Sequence, residues 1–388
     1  TSGPLGQGHA FAAGAAIAAK FLKARLGDVM DQTIYAYITD GGIQEEVSQG
    51  VGRLVGHLGL DNLIMFYDSN GIQLSTKVAE VSEEDVAAKY RAWDWEVFDI
   101  DGNDPDQIRE ALTQARAVTG KPALIIGRTV MGKKALDANG NSFENKTSTH
   151  GQPLSAAGAS FEKTIENLGG DPKAPFAFFP EALALYQQRG EELRKIVAEK
   201  NRAKQQWAAQ HPDKAASMER WFARELPEIA WDQIVQKPNN STRAASSTVL
   251  GLLATHVDNM IVSSADLSNS DKTDGFLKQT HSFRRGDFTG AFLQTGVSEL
   301  TMTCLNVGMS LHGGVVPACA TFFVFSDYMK PAIRVAALME QPVVFIWTHD
   351  AFRVGEDGPT HEPVEQEDHA KAGPLAGDEE VGQGRPVL

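Results

Sequence analysis

The 388-residue sequence holds only two cysteines, Cys304 and Cys319. Two thiols cannot build a disulfide framework, and both sit in apolar runs, so buried, reduced thiols in a cytoplasmic protein are expected. No uninterrupted apolar stretch is long enough to span a bilayer. Positive charge is in deficit, with 36 Lys and Arg against 50 Asp and Glu and a net charge of −14. That balance disfavours nonspecific binding to nucleic acid or a membrane surface, and neither is expected as a partner. No internal repeat relates the two halves. His349 and His361, the histidines of the densest polar loop, match no zinc-ligand spacing. A signal-peptide pattern is also missing, but the sequence opens at Thr1 without methionine, so that gap carries no information. A hydrophobic content of 42% and a charged content of 22% are ordinary for a globular protein with room for two or three domains.

One stretch stands out, YAYITDGGIQEEVSQGVGRLVGHLGLDNLIMFYDSNGIQLST at residues 35–76. Two strand-like apolar runs, 34–38 and 62–67, each end in a turn carrying an oxygen ligand, Asp40-Gly41-Gly42 and Asp68-Ser69-Asn70-Gly71. Between them Val47, Val51, Leu54, Val55 and Leu58 recur at helical spacing. Strand, glycine turn, helix and strand predict a βαβ unit. Its parallel strands bring both turns to one carboxyl edge, where open α/β sheets bind ligands. The chemistry of the pair fits a magnesium diphosphate, because Mg²⁺ takes few protein oxygens and completes its octahedron with water and phosphate. The Asp40 carboxylate, the Asn70 amide oxygen and a backbone carbonyl near Ile72 would supply one face. Gly41 and Gly42 let amide groups approach a phosphate at the next helix start. An Asp-Gly turn alone more often just ends a strand. Both turns at this spacing are far more specific.

The same rhythm runs on. An alanine-rich helix over 10–26 precedes the unit. Helices at 82–93 and 105–118 alternate with strands at 95–100 and 122–130, and 131–148 reads as a polar loop closed by His150. Residues 155 to about 240 carry charged helices at 181–211 and 214–226, a solvated connector. A second α/β region follows from residue 242, with helices at 244–256, 296–312 and 326–339 and strands at 260–264, 314–321 and 342–347. The expected fold class is α/β, two doubly wound, mostly parallel-sheet domains joined by a helical connector, divided at 1–155, 156–240 and 241–388. Glu299, in TGVSEL, sits at a helix start, an ordinary place for an acid beside the macrodipole. Phe322, Phe325 and Tyr328 recur every three residues, which alone reads as core packing.

TDGG…YDSNGI resembles the thiamine diphosphate motif. With TSGPLGQG at 1–8, THGQPL at 149–154, SADLSNS at 264–270 and THDAFRVGEDGPTHEPVEQ at 348–366, the chain resembles the transketolase family from Thr1 to about Gln366. That resemblance implies thiamine diphosphate with Mg²⁺, or with Ca²⁺ or Mn²⁺ in its place. It implies transfer of a two-carbon ketol unit between ketose and aldose phosphates in the pentose phosphate pathway. Cofactor contacts are implied for Gly3, Leu5, Gly41, Asn70, His150, Asp266, Glu299, Phe322, Phe325 and Tyr328, and metal contacts for Asp40, Asn70 and Ile72. Glu299 would bond N1′ of the cofactor's aminopyrimidine. A carboxyl buried against an aromatic heterocycle gains a raised pKa and can give a proton. Substrate contacts are implied for Arg243, Ser270, His349, Asp357 and His361, and catalytic roles for Glu299, His361 and His150. A homodimer with active sites between subunits is implied, with Glu45 at the interface. An ordinary surface arginine is the plain alternative for Arg243, and a first-turn helix glutamate for Glu45.

The sequence also departs from the family. Thr39 replaces a glycine before the metal aspartate, which is tolerable at negative φ. The family's first segment, with several active-site histidines, has no counterpart. After Gln366 the chain turns Gly/Glu-rich, EDHAKAGPLAGDEEVGQGRPVL. The first domain is therefore expected to be incomplete at its N-terminal side and the second at its C-terminal side. Rival readings are a related ketol transferase such as dihydroxyacetone synthase, and a catalytically silent cofactor-binding or regulatory subunit.

Overall fold

The computed structural model describes residues 3–350 and 357–371; Thr1, Ser2, the 351–356 part of the polar loop and the tail beyond residue 371 lie outside them. From the N-terminal side, α1 (Gln7–Leu26) leads to β1 (Ile34–Thr39), α2 (Asp40–Gln44), α3 (Glu46–Leu58) and β2 (Leu63–Ser69). The glycine turn expected at Asp40–Gly42 is itself a turn of helix, and Thr39 before it has φ −114°, as a β-branched residue requires. Glu45 is not in the first turn of α3. It forms the extended junction between α2 and α3. α3 ends at Gly59, whose φ of 60° is the left-handed conformation that glycine adopts without strain. α4 (Val86–Ala92) is shorter than the 82–93 pattern suggests, because Asp85 caps it by accepting the Ala88 N–H.

β3 (Glu96–Asp101), α5 (Pro105–Ala117) and β4 (Ala123–Arg128) complete the first sheet. All its strands are parallel, in the order β1-β2-β4-β3. Thr39 lies in register with Asp68, so the Asp40 and Asn70 turns leave the same edge. Then come α6 (Phe161–Asn167), α7 (Pro180–Gln210) and α8 (Pro212–Phe222). α7 buries none of its 31 residues, as its charge pattern requires.

The second sheet is built from α9 (Thr242–His256), β5 (Met260–Ser264), α10 (Asp274–Leu277), β6 (Phe292–Gln294), α11 (Glu299–His312), β7 (Val316–Phe322), α12 (Ser326–Leu338) and β8 (Val344–Thr348). Its parallel order is β6-β5-β7-β8. β6 escaped the sequence pattern because three residues are too few to show a period. A last helix, α13 (Gln366–Lys371), follows the polar loop. No helix of the described residues is long and apolar enough to cross a membrane.

The two sheets meet through α1, which packs on β1, α3 and α11. Most of it is buried, so alanine, isoleucine, phenylalanine and leucine recur around much of its surface, with Lys20, Lys23 and Arg25 towards its C-terminal end. Phe21 and Leu22, fully buried, contribute roughly 1.5–3 kcal/mol each. Its small residues set how close the helices come. A Cβ on Gly14 would lie 2.1 Å from the Leu305 carbonyl oxygen, and one on Gly308 2.2 Å from that of Phe11. Arginines fasten the contact from both sides. Arg25 donates to the carbonyls of Asp258, Phe288, Thr289 and Gly290. Arg285 answers with bonds to the carbonyls of Gly56 and Gly120 and an ion pair to Asp94.

Candidate active site

At the first sheet's carboxyl edge, Asp40 is buried and accepts three hydrogen bonds, from the Tyr67 hydroxyl at 2.6 Å, Asn70 N–H at 3.1 Å and Gly71 N–H at 2.9 Å. It forms no ion pair among the described residues. Asn70 Oδ1 accepts the Ile72 N–H at 2.9 Å, and the Ile72 carbonyl takes no hydrogen bond among the described residues. Asp40, Asn70 and Ile72 are thus gathered at one place. Leu5 lies against Gly41, its Cδ1 3.2 Å from where a Cβ would stand. Gly3, with φ 71°, and Gly71, with φ 74°, have open space at that position. A cavity of about 680 Å³ opens beside Asp40, lined also by Tyr67, Lys77, Arg91 and Arg128. No three His, Cys, Asp or Glu side chains converge among the described residues. A metal here would therefore rest on one carboxylate with amide and carbonyl oxygens, the sparse set that suits Mg²⁺ beside a diphosphate. The residues fit that group.

Glu299 opens α11 and is 8% exposed. Burial pushes its carboxyl above the ordinary glutamate range, against the weaker pull of its own N–H and the Thr321 hydroxyl. Thr321 Oγ1 nevertheless makes no hydrogen bond of sound geometry and is a buried polar atom without a partner. At the end of β7, Phe322 and Phe325 stack at 5.9 Å, Phe325 and Tyr328 lie 6.3 Å apart, and Tyr328 is largely exposed. The spacing of three therefore builds a ring platform rather than plain core. His349 stacks on Phe322 at 3.7 Å, and His361 meets Phe325 edge-on at 5.3 Å.

Arg243, on the first turn of α9, is no free surface arginine. Its Nη1 donates to the Ser270 carbonyl at 3.1 Å and to His349 Nε2 at 2.8 Å. Because a guanidinium only donates, Nε2 accepts and His349 is neutral, with Nδ1–H facing Thr348 Oγ1 at 2.9 Å. Burial first, then the Arg243 charge, holds the His349 pKa below its usual value. His349 and Asp266 have φ 59° and 65°, left-handed values at the carboxyl ends of β8 and β5 where strain commonly marks function. Asp357 is exposed and close enough to His349 to act on its charge.

Other expected residues stand apart. His150 closes a short 3₁₀ turn, with its Nδ1 buried and unpartnered. Glu45 packs beside Gly6 at the start of α1. Among the described residues, no hydrogen bond, ion pair or ring contact joins Asp40 or Asn70 to Glu299, Phe322 or His349. Two polar groups escaped the sequence reading. The sequence pattern presents Tyr67 only as the last residue of an apolar strand. Asp271, fully buried, accepts from the Ser264 and Thr273 hydroxyls and anchors the Ser270 loop. Its one signal was a position next to Ser270.

The profile of the transketolase thiamine diphosphate-binding domain matches residues 1–227, and that of the transketolase pyrimidine-binding domain matches 239–374. The transketolase of Halalkalibacterium halodurans is 36% identical over 380 residues, covering 94% of this chain and 55% of that protein. Transketolase 1 of Escherichia coli is 36% identical over 381 residues, with the same coverage. The solved structure of transketolase from Leishmania mexicana superposes with a TM-score of 0.88 at 30% identity, over 95% of this chain and 55% of that one. That from Campylobacter jejuni gives 0.81 at 35% identity, over 95% and 55%. The chain thus spans about half the length of the curated relatives it matches. With both profiles lying on the two parallel sheets and the carboxyl-edge clusters just described, the chain belongs to the transketolase family.

Proposed function

We propose that the chain binds thiamine diphosphate with Mg²⁺, or Ca²⁺ or Mn²⁺ in its place, and serves ketol transfer from a ketose phosphate to an aldose phosphate. The observation that carries this reading is the Asp40 turn: a buried carboxylate that forms no ion pair among the described residues, beside the Asn70 amide and an Ile72 carbonyl that accepts no hydrogen bond among them. When bound, thiamine diphosphate supplies a carbon nucleophile that no side chain can provide. Asp40, Asn70 and Ile72 would hold the metal, while Gly3, Leu5, Gly41, His150 and Asp266 line the cofactor's path. Phe322, Phe325 and Tyr328 present aromatic faces to the pyrimidine ring. Glu299 holds a proton at N1′, a task suited to a carboxyl kept from water. Arg243, Ser270, His349, Asp357 and His361 grip the sugar phosphate, with His361 and His150 moving protons at its oxygens.

Among the described residues no hydrogen bond, ion pair or ring contact joins the metal-side cluster to the ring-side cluster, which supports a homodimer that joins them between subunits, with Glu45 at the interface. Division at 1–155, 156–240 and 241–388, and a cytoplasmic location suited to the free thiols of Cys304 and Cys319, complete the proposal. Calorimetric titration of the full chain with thiamine diphosphate, with and without Mg²⁺, tests it. Binding at least about tenfold tighter with the metal is expected, a difference of about 1.4 kcal/mol. Absence of binding, or binding indifferent to Mg²⁺, overturns it.

A further inference from the structure

We propose that Arg53 is a positioning residue for Glu299, fixing from α3 the turn that presents this carboxyl; the idea rests on reading Glu299 as the proton-holding group. Arg53 Nη2 donates to the Thr295 carbonyl at 3.0 Å. Thr295 is itself buried and anchored, its hydroxyl donating to the Ser264 carbonyl at 3.1 Å. From there the chain turns through Gly296, with φ 69°, and Ser298, with φ −166° and ψ 59°, into Glu299. Ser298 makes no side-chain cap to α11 and Val297 is 79% exposed, so among the described residues the turn's one internal side-chain hydrogen bond is that of the Thr295 hydroxyl, which also lies 3.1 Å from the Gly296 carbonyl. Arg53 is the only side chain from the first sheet's side that bonds it among the described residues.

The same helix grips the far side of Glu299. A Cβ on Gly50 would stand 2.2 Å from Thr301 Oγ1, so Thr301 fills the space that this glycine leaves. Gly50 and Arg53 are three apart and share one face of α3. Their partners, Thr301 and Thr295, bracket Glu299 in sequence. α3 also holds the Asp40 turn, since Ser48 Oγ donates to the Gly42 carbonyl and Gln49 Nε2 to that of Ile43, both at 2.7 Å. One helix therefore sets the place of both carboxyl-bearing turns, and Arg53 is the polar end of its reach. Released from Arg53, the turn would open and water would reach the Glu299 carboxyl.

The test uses the full chain without cofactor, in Arg53→Met and Arg53→Lys forms. Amide hydrogen exchange is followed over 292–302, and the Glu299 carboxyl is titrated by ¹³C NMR, its resonance assigned with Glu299→Gln. In Arg53→Met, exchange at 296–299 is expected to quicken at least about tenfold while β4 is unchanged. The proton affinity of Glu299 should fall about tenfold as it becomes hydrated. Arg53→Lys, which keeps a donor, should restore most of both. Unchanged exchange at the turn, exchange that quickens everywhere alike, or a Glu299 affinity that rises (the result of losing a nearby positive charge alone) each overturns the proposal. Neither readout involves thiamine diphosphate. A chain that binds no cofactor would sink the proposed function while leaving this result to stand or fall by itself.

Discussion

Asp40 and Glu299 each follow a sheet strand at its carboxyl edge, and each is more than nine-tenths hidden from water, yet their surroundings are opposite. Around Asp40 the chain has gathered a tyrosine hydroxyl and two backbone N–H groups, donors suited to a carboxylate. Around Glu299 there is little beyond its own N–H and a threonine hydroxyl out of hydrogen-bonding geometry, so burial prevails and the proton is favoured. The residue type does not settle the role of a buried acid. The supply of donors does, because a desolvated charge costs several kcal/mol unless something replaces its water.

The largest effect should come from removing the proton on one side of that contrast. In a dimer that binds the cofactor, Glu299→Gln should slow hydrogen–deuterium exchange at thiazolium C2 by about two to four orders of magnitude, read by quenched-flow NMR. Binding should change less than about tenfold. An unchanged exchange rate would return Glu299 to the status of a helix-start acid. Next is the packing that holds the two regions together. Gly308→Ala drives a methyl group into the Phe11 carbonyl and should destabilise the chain by about 3 kcal/mol in urea unfolding. A loss within experimental error would mean that the helices can separate freely.

On the other side of the contrast, Asp40→Ala should weaken Mg²⁺-supported cofactor binding more than about 100-fold, since even a residue supporting a metal ligand costs 10–100-fold. Asp68→Ala should do far less, because Asp68 accepts from the Tyr37 and Thr129 hydroxyls instead. Equal losses in calorimetry would remove Asp40 as a ligand.

The smallest effect concerns a third hidden group. His9 on α1 has both ring nitrogens without partners, and burial lowers its pKa to about 3. Above about pH 6.5 it is neutral whether the chain is folded or not, so it adds no pH dependence there. As pH falls below that value the unfolded chain takes the proton first, and stability declines until about pH 3. Between pH 7 and 5 the loss should be about 2 kcal/mol, and His9→Leu should flatten that slope in denaturant titrations. An identical slope in His9→Leu would assign the acid sensitivity elsewhere.

Much of the fold was legible because periodic burial leaves a periodic sequence. The runs at 34–38 and 62–67 became β1 and β2, and Val47, Val51, Leu54, Val55 and Leu58 became the buried face of α3. Elements too short for a period, such as β6 and α10, left no trace. The glycines of Asp40–Gly42 suggest a tight turn, and the structure makes that turn the start of the short helix α2. The candidate site was legible wherever one short motif holds its own residues, as with Asp40 and Asn70 or Phe322 and Phe325.

What the sequence alone determined is the rhythm of two parallel sheets and the motifs at their carboxyl edges, since both are local properties of a chain whose side chains alternate with the strand and helix periods. What only the tertiary structure decided is which distant groups meet: Arg243 with His349, Arg53 with Thr295, and Gly14 and Gly308 at the α1–α11 crossing. It also decided that Glu299 is starved of donors while Asp40 is supplied with them. Desolvation and hydrogen bonding depend on every neighbour brought close by the fold, and some of those neighbours lie 27 residues away, as with Tyr67 and Asp40, others 242, as with Arg53 and Thr295.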